Sequence, residues 1–422
     1  MDQLANWKGK SSRLPLIIKG ARQVGKTSLV NDFGTTFRSF HAFNFQKNPQ
    51  LKEGFRNNND PQKILKFLEI ISEASIDISK DLIFFDEVQE CPEALNSLKF
   101  FAEEHPQAYI IAAGSLLGVY LSAHSFPVGK VQFEYLYPFS FSEFLQACGK
   151  KKLAAQLDRL DKSSHHFHEE LIGLLRIYFT IGGMPKAIAT YVETNDVKKV
   201  RDIQEDLLTS YRADFAKYSG PISALKILTI FENIPKQLAK DNRKFQFNSL
   251  KKEARYSEFS SSVDWLVGAG LAYKIPILNH AEIPLKAYAE ENKFKLYFFD
   301  IGLLAALTDL PTQAFFQESD LFKTFKGAFV ENYVLQEFVC QRTEELYSWH
   351  NQTAEVDFLY STNDMQLMPI EVKSGESGKL KSLQVFFQKY KCQWKTRCSM
   401  HKLEIRQDSG LRTIPLYMAS KI

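Results

Sequence analysis

The chain is poor in cysteine, with five in 422 residues (Cys91, Cys148, Cys340, Cys392 and Cys398), far apart and without a C-x-x-C pair. That usage excludes a disulfide scaffold and a thiolate zinc module, and it suits a reduced, cytoplasmic chain. Excess charge is missing too: 53 Lys+Arg against 49 Asp+Glu leave +4. A histone-like polycation is thereby excluded, although a local basic face is not. No apolar run approaches the roughly 20 residues of a membrane span, so no membrane partner is expected. The opening MDQLANWKGK has no apolar signal-peptide core. Internal repeats and low-complexity tracts are absent. What the chain has in quantity is aromatic residues, 35 Phe and 17 Tyr, which imply aromatic cores or, as the alternative, stacking surfaces. Hydrophobic residues at 45% and charged residues at 24% describe an ordinary globular protein. The length allows roughly two to three domains of about 150 residues.

Local patterns divide the chain into three parts. Leu14–Lys19 is a short apolar run followed by a glycine and then a helical pattern over Lys26–Phe33. Further strands are predicted at Phe40–Phe45, Asp81–Phe85, Ala108–Ala113 and Val131–Tyr137, with helices such as Pro61–Glu73 and Glu93–Glu104 between them. Strands alternating with helices predict a parallel α/β sheet. From 146 to about 290 the pattern is helical: Leu171–Tyr178, a Gly182–Gly183 break, Val197–Tyr211, Ile222–Leu238, Asn248–Ala254 and Ser257–Ala269, then a strand at Leu271–Pro276. Three helices ending in a strand suit a winged-helix-like module or a plain helical packing domain. Beyond that, a helix at Phe325–Thr343 precedes strands at Leu346–His350, Ala354–Tyr360 and Leu367–Lys373. A helix at Lys379–Tyr390 and a strand at Arg412–Met418 complete the chain.

Gly20-Ala21-Arg22-Gln23-Val24-Gly25-Lys26-Thr27 is a complete G-x-x-x-x-G-K-T loop between a strand and a helix. Glycines there let backbone N–H groups wrap phosphate, Lys26 supplies a point charge on the β/γ-phosphates, and the Thr27 hydroxyl is a magnesium ligand. The helix start adds its positive dipole end. The nucleotide-binding residues are thus Gly20, Arg22, Gln23, Val24, Gly25, Lys26, Thr27 and Ser28, together with Asp86 and Ser115. Asp81–Glu87 (DLIFFDE) is an apolar strand ending in two carboxylates. Asp86 is placed on Mg²⁺ and Glu87 on the attacking water. Ser115, ending the strand of AYIIAAGS, is a candidate γ-phosphate sensor, with Gln89 a weaker one; a simple turn serine is the alternative.

A second acidic constellation lies near the end. Asp357 sits in EVDF and Glu371 in IEVK, where Glu371 and Lys373, two apart on a strand, share a face. If the strands are neighbours, Asp357 meets Glu371, and two carboxylates with a lysine can hold Mg²⁺ and activate water against a phosphodiester. Glu331 on the preceding helix adds a third carboxylate. Helix, strands, E-x-K and helix follow the order of the PD-(D/E)xK nuclease core. The alternative is a cross-strand Glu/Lys pair on a solvated face, which has to account for carboxylates inside apolar strands. Lys379, Lys381, Lys389, Lys391, Lys395 and Arg397 follow, interleaved with Phe386, Phe387, Tyr390 and Trp394. They read as a nucleic-acid groove or as the solvated face of an amphipathic helix. His165, His166 and His168 beside Glu169 and Glu170 are a weak metal candidate. Arg22, Arg176 and Arg212 are candidates for a transition-state arginine, with ion pairing as the alternative.

With these residues in hand, the chain resembles a family of bacterial and archaeal AAA-type ATPases. Members join a P-loop domain to a C-terminal domain of unknown function with a nuclease-like fold. The resemblance rests on GARQVGKT (Gly20–Thr27), FFDEVQECP (Phe84–Pro92), AAGSLLG (Ala112–Gly118), FPVGKV (Phe126–Val131) and YPFSFSEFL (Tyr137–Leu145). It continues through GGMPKAI (Gly182–Ile188), FFDIGLL (Phe298–Leu304), GAFVEN (Gly327–Asn332), EVDF (Glu355–Phe358) and PIEVKSG (Pro369–Gly375). It implies ATP binding, a helical, winged-helix-like linker and a restriction-endonuclease-like tail. Family members usually carry a helix before the phosphate loop that helps cover the adenine. With only thirteen residues ahead of the first predicted strand, a shortened or differently built base pocket is expected here.

The reading is therefore an α/β protein of three segments: a P-loop ATPase domain at 1–145, a helical lid and winged-helix-like part at 146–295, and a nuclease-like domain at 296–422. ATP and Mg²⁺ are the expected cofactors, and DNA and a homo-oligomer the expected partners. Lys26 and Glu87 would carry ATP chemistry, and Glu331, Asp357, Glu371 and Lys373 phosphodiester chemistry. The alternative is an ATP-dependent switch or adaptor whose nuclease fold serves only for docking.

Overall fold

The computed structural model describes residues 1–115, 129–240, 243–315, 323–341, 344–374 and 380–422. Parts of the motifs quoted above (Leu116–Gly118, Phe126–Val128, Gly375) and Lys379 lie outside them. The chain forms two compact units, Met1–Tyr137 with Gly268–Gly270, and Pro138–Val267 with Leu271–Ile422.

The first unit is built on five strands, β1 (Leu16–Lys19), β2 (Phe40–Asn44), β3 (Leu82–Asp86), β4 (Tyr109–Ala113) and β5 (Gln132–Tyr135). They are parallel, in the order β2-β3-β4-β1-β5. All five expected strands are present. Side chains alternate between two apolar layers, Ile17, Ile83, Phe85, Ile110 and Ala112 on one face and Leu16, Ile18, Leu82, Phe84, Ile111 and Ala113 on the other. A sheet buried on both faces needs such continuous apolar strands, which is why sequence alone locates them. A helix Asp2–Lys8 does precede β1. It buries Leu4 and Trp7 in the second layer, and Trp7 Nε1 donates to the Leu14 carbonyl at 2.9 Å.

The second unit holds an eight-stranded mixed sheet: β6 (Ala272–Leu278), β7 (Phe294–Phe298), β8 (Tyr347–His350), β9 (Glu355–Ser361), β10 (Leu367–Val372), β11 (Lys395–Ser399), β12 (Glu404–Arg406) and β13 (Leu411–Pro415). Its order is β12-β13-β11-β10-β9-β8-β6-β7. The expected cut near 295 falls inside β7, and the antiparallel β6–β7 pair joins the C-terminal strands in one sheet. Ahead of it run helices His168–Ile181, Pro185–Thr194, Val197–Ser219, Pro221–Leu238 and Tyr256–Gly268. The helix expected at Asn248–Ala254 is only a 3-10 turn, Phe247–Ser249. Phe247 is instead a core aromatic against Phe245, Tyr256 and Phe294.

One helix, Lys323–Gln341, organises much of this unit through a buried polar face. Asn332 clamps the Phe298 backbone, accepting its N–H at 2.7 Å and donating to its carbonyl at 2.9 Å. Gln336 accepts the Ile301 N–H and donates to the Tyr178 hydroxyl, both at 2.9 Å. Glu337 accepts the Phe141 N–H at 2.7 Å. Nearby, Asp300 caps the helix Ile301–Leu307 through the Leu303 N–H and accepts the Gly183 N–H at 2.6 Å. Stretches more than a hundred residues apart are tied together this way. Their polar groups are satisfied, as burial requires. Among the described residues no helix is long and apolar enough to cross a membrane.

Burial pushes Asp300 up to about 6 and Glu337 up to about 8, against ordinary values of 3.8 and 4.5. Both bind a proton more tightly folded than unfolded. Their contribution to stability is therefore full below the ordinary carboxyl range and is lost as pH rises through those folded values. Each pKa unit is worth about 1.4 kcal/mol. Glu337→Gln, which keeps an acceptor for Phe141, is expected to gain stability relative to wild type between about pH 5 and about pH 9. Urea unfolding measures this, and a constant difference across that range would contradict it.

Candidate nucleotide site and acidic cluster

Parallel register assembles the first site. Ala113 of β4 pairs with Ile18 of β1 on one side and with Asp86 of β3 on the other. The phosphate loop, the β3 carboxylates and Ser115 consequently share the carboxyl ends of the strands, where ligands of open α/β sheets bind. Gly20 has φ 149°, and a Cβ there would collide with the Leu136 carbonyl. Gly25, at φ 97°, starts the helix Lys26–Gly34 in the left-handed region. Both positions require glycine.

Within this loop Lys26 is buried, and its ammonium donates to the carbonyls of Gly20 (3.0 Å) and Ala21 (2.8 Å). Burial lowers it to about 8, with Glu87 and Asp86 pulling the other way and Arg22 adding to the fall. The Thr27 hydroxyl donates to both oxygens of Asp86 at 3.2 Å. Asp86 also accepts from Asn44 Nδ2 at 2.8 Å and from the Glu87 N–H at 3.1 Å. Glu87 adopts φ 51°, and Gln89 Nε2 lies 2.5 Å from its Oε2. The Gln89 carbonyl oxygen is buried without a partner. Ser115 is buried at the end of β4, while Thr27 and Ser28 face solvent. A threonine hydroxyl against an aspartate fits a hydrated Mg²⁺, which takes few protein ligands and completes its shell from water and phosphate. Thr27 and Asp86 would hold it. Asn44 is a residue that the sequence pattern did not disclose; it lies at the end of β2, opposite Asp86 in register.

Antiparallel pairing of β9 with β10, Phe358 opposite Ile370, brings Asp357 and Glu371 face to face. Both are buried, so a solvated cross-strand pair does not describe them. Asp357 Oδ2 accepts the Val372 N–H at 2.7 Å. Lys373 Nζ lies 2.5 Å from Glu371 Oε1, while burial pushes the Glu371 carboxyl up, Lys373 opposes this and Asp357 reinforces it. Glu331 joins the cluster but is enclosed: it contacts Arg243, accepts from the Tyr297 hydroxyl and meets Lys295 Nζ at 3.2 Å. Lys295 also contacts Glu355 at 2.5 Å and Asp357 at 4.0 Å. Arg243 stands 3.7 Å from Asp357 Oδ1. Lys295 and Arg243 were not singled out in the sequence. A lysine in the apolar run FKLYF was the available signal, since an internal charge needs partners.

These residues do not fit a resident Mg²⁺. Glu331 and Asp357 already face two fixed cations, Arg243 and Lys295, and Glu371 faces Lys373; Glu331 Oε2 and Glu371 Oε2 are buried without a hydrogen-bond partner. A divalent ion between Glu331 and Asp357 would have to displace those cations or stand against their charge. Among the described residues no group of three or more His, Cys, Asp or Glu is arranged to hold a metal.

Weaker candidates resolve into packing. His165 meets the Leu403 carbonyl and His168 the Tyr417 hydroxyl, each at 3.0 Å. Arg212 pairs with Glu232 at 2.8 Å. The helix Lys381–Lys389 buries Phe386 edge-on against Trp349, with Tyr390 alongside. Those rings are core, not a stacking platform, whereas Lys381, Lys389 and Lys391 are exposed. The segment is an amphipathic helix whose wet face carries the lysines.

Because Lys26 sits at about 8, a free loop must take up a proton to meet phosphate once pH exceeds that value. ATP affinity is expected to fall by up to about tenfold per pH unit above 8, and Lys26→Arg to remove the slope. Calorimetric titration across that range measures it. A flat wild-type profile would contradict the burial assigned to Lys26.

Comparison with known proteins agrees with the first site. Residues 12–145 match a family described as AAA domain (AAA_14). Residues 172–314 and 326–418 match two domains of unknown function, DUF8612 and DUF4143. No curated protein matches the chain. Among solved structures, a chain from the structure of Drosophila ORC bound to DNA is similar at 13% identity with a TM-score of 0.25, covering 73% of this chain and 93% of that one. Family match and loop geometry together give residues 12–145 the character of an AAA-type P-loop domain.

Proposed function

We propose that the chain binds ATP and hydrolyses it with Mg²⁺ in its first unit, as a switch for a second unit directed at DNA. The observation that carries the first half is the Thr27–Asp86 contact at 3.2 Å beside Lys26 and Glu87. Lys26 leaves the loop carbonyls for the β/γ-phosphates, and the backbone N–H groups of Gly20–Ser28 cradle them. Mg²⁺, when bound, neutralises charge on the β- and γ-oxygens. Glu87 orients the attacking water and accepts its proton, Gln89 holds the Glu87 carboxylate, and Ser115 senses the γ-phosphate.

The second half has support of another kind. A helix, the antiparallel strands β8–β9–β10, a helix and a parallel β11 follow one another, which is the order of the PD-(D/E)xK core. Helices Pro221–Leu238 and Tyr256–Gly268 followed by the β6–β7 pair support the winged-helix-like reading. Exposed Lys381, Lys389 and Lys391 are the cations that would meet phosphate. A homo-oligomer is the arrangement in which an arginine from a neighbouring copy would complete the ATP site.

Lys26→Ala is expected to abolish ATP binding. Glu87→Gln is expected to keep binding while lowering turnover about 10²-fold or more, the range for a lost general base. Phosphate release and nucleotide titration on the two variants distinguish these effects. Wild-type turnover in Glu87→Gln would overturn the role of Glu87. For the second unit, anisotropy titration of duplex DNA should show affinity falling with salt, with a shallower slope when Lys381, Lys389 and Lys391 are changed to Ala. Absence of DNA binding at low salt would remove DNA as the partner.

A further inference from the structure

The acidic cluster of the second unit carries four carboxylates, Glu331, Glu355, Asp357 and Glu371. Lys295, which faces three of them, is itself only 1% exposed. It comes from β7, the edge strand, which β6 and β8 separate from β9 in the sheet order. In a flat sheet that separation would be about 14 Å, three strand spacings of about 4.8 Å. The ammonium nevertheless reaches Glu355 at 2.5 Å. The sheet therefore curls, with β6 and β8 joined by only the pairs Ile277–Ser348 and Leu278–Trp349. Lys295 is delivered into the cluster by this curl.

We propose that Lys295 is an internal cation occupying the position that a divalent metal would need among Glu331, Glu355 and Asp357, which makes the cluster a closed ionic cage and the second unit a non-cleaving one. Arg243 closes the side formed by Glu331 and Asp357. Tyr297, on the same strand as Lys295, donates to Glu331 as well. Its burial and the neighbouring carboxylates Asp357 and Glu355 push the phenol well above its ordinary value, with Arg243 opposing them. It thus serves as a hydrogen-bond donor to the carboxylate. An ammonium seated among these oxygens opposes a divalent ion in the same place. Both want the same lone pairs, and their mutual repulsion in a water-poor site is large. The cage instead ties the hairpin, the helix Lys323–Gln341 and β9 together through charges that are costly to separate. This holds whether or not the first unit hydrolyses ATP.

Removing the ammonium turns the cage into a vacancy with one more net negative charge. Lys295→Ala is therefore expected to gain a metal site that wild type lacks. The test counts bound Mn²⁺ by electron paramagnetic resonance on the full-length, nucleotide-free chain. Wild type, Lys295→Ala and Asp357→Asn are compared in a Thr27→Ala, Asp86→Asn background that silences the phosphate loop. The proposal expects no Mn²⁺ in wild type that Asp357→Asn removes, one added Mn²⁺ in Lys295→Ala with a higher thermal midpoint in its presence, and uncut plasmid DNA with wild type and Mn²⁺. Mn²⁺ bound by wild type and lost in Asp357→Asn would overturn it, as would plasmid cleavage that Glu371→Gln abolishes. A folded Lys295→Ala that gains no Mn²⁺ would overturn it too. If Lys295→Ala does not fold, the wild-type and Asp357→Asn comparison decides. ATP turnover measured on the unsilenced chain keeps either result separate from the reading of the first unit.

Discussion

A charge taken out of water must find opposite charge or hydrogen-bond partners, and this constraint shapes both acidic centres of the chain. They meet it differently. Lys26 rests on two loop carbonyls and Asp86 on a threonine hydroxyl, an amide and a backbone N–H. Neutral partners of this kind hold the groups in place without cancelling their charge, so a phosphate and a hydrated metal can still be attracted. In the second unit Glu331 and Asp357 face full positive charges, Lys295 and Arg243. There the charge is opposed from inside.

The polar face of the helix Lys323–Gln341 obeys the same rule with uncharged partners. Asn332 and Gln336 satisfy backbone groups that no sheet or helix ladder reaches, and Glu337 is held neutral by burial up to about pH 8. Motifs that carry the family resemblance, FFDIGLL, GGMPKAI and GAFVEN, meet here as architecture. Asp300 reaches Gly183, and Asn332 reaches Phe298. Their order along the chain reports packing as much as chemistry.

How legible each part was follows from how local its cause is. The three inner strands of the first sheet are apolar runs, LIIK, LIFFD and YIIAA, the edge strands FHAFN and QFEY are mixed, and the phosphate loop is a contiguous string whose geometry glycine dictates. Both are written in neighbouring residues, and both were found. Asn44 reaches Asp86 over 42 positions and Lys295 reaches Glu331 over 36. No local pattern encodes such pairs. The basic and aromatic helix is ambiguous for a related reason. Lysines and rings alternate there because one face is core and the other is wet, a period that a nucleic-acid groove shares. The turn at Phe247–Ser249 follows the same logic, since packing of Phe247 against Phe294 holds that segment where helix periodicity was expected.

The central claim is that one acidic centre stays open to a metal and the other is closed by the chain's own lysine. Crystals grown with Mn²⁺ and a non-hydrolysable ATP analogue, with anomalous diffraction recorded at the manganese edge, test it most directly. A peak between Thr27 and Asp86, with none within coordination distance of Asp357 or Glu371 and with Lys295 still among its carboxylates, is the predicted result. A manganese ion bound by Asp357 and Glu371 would contradict it.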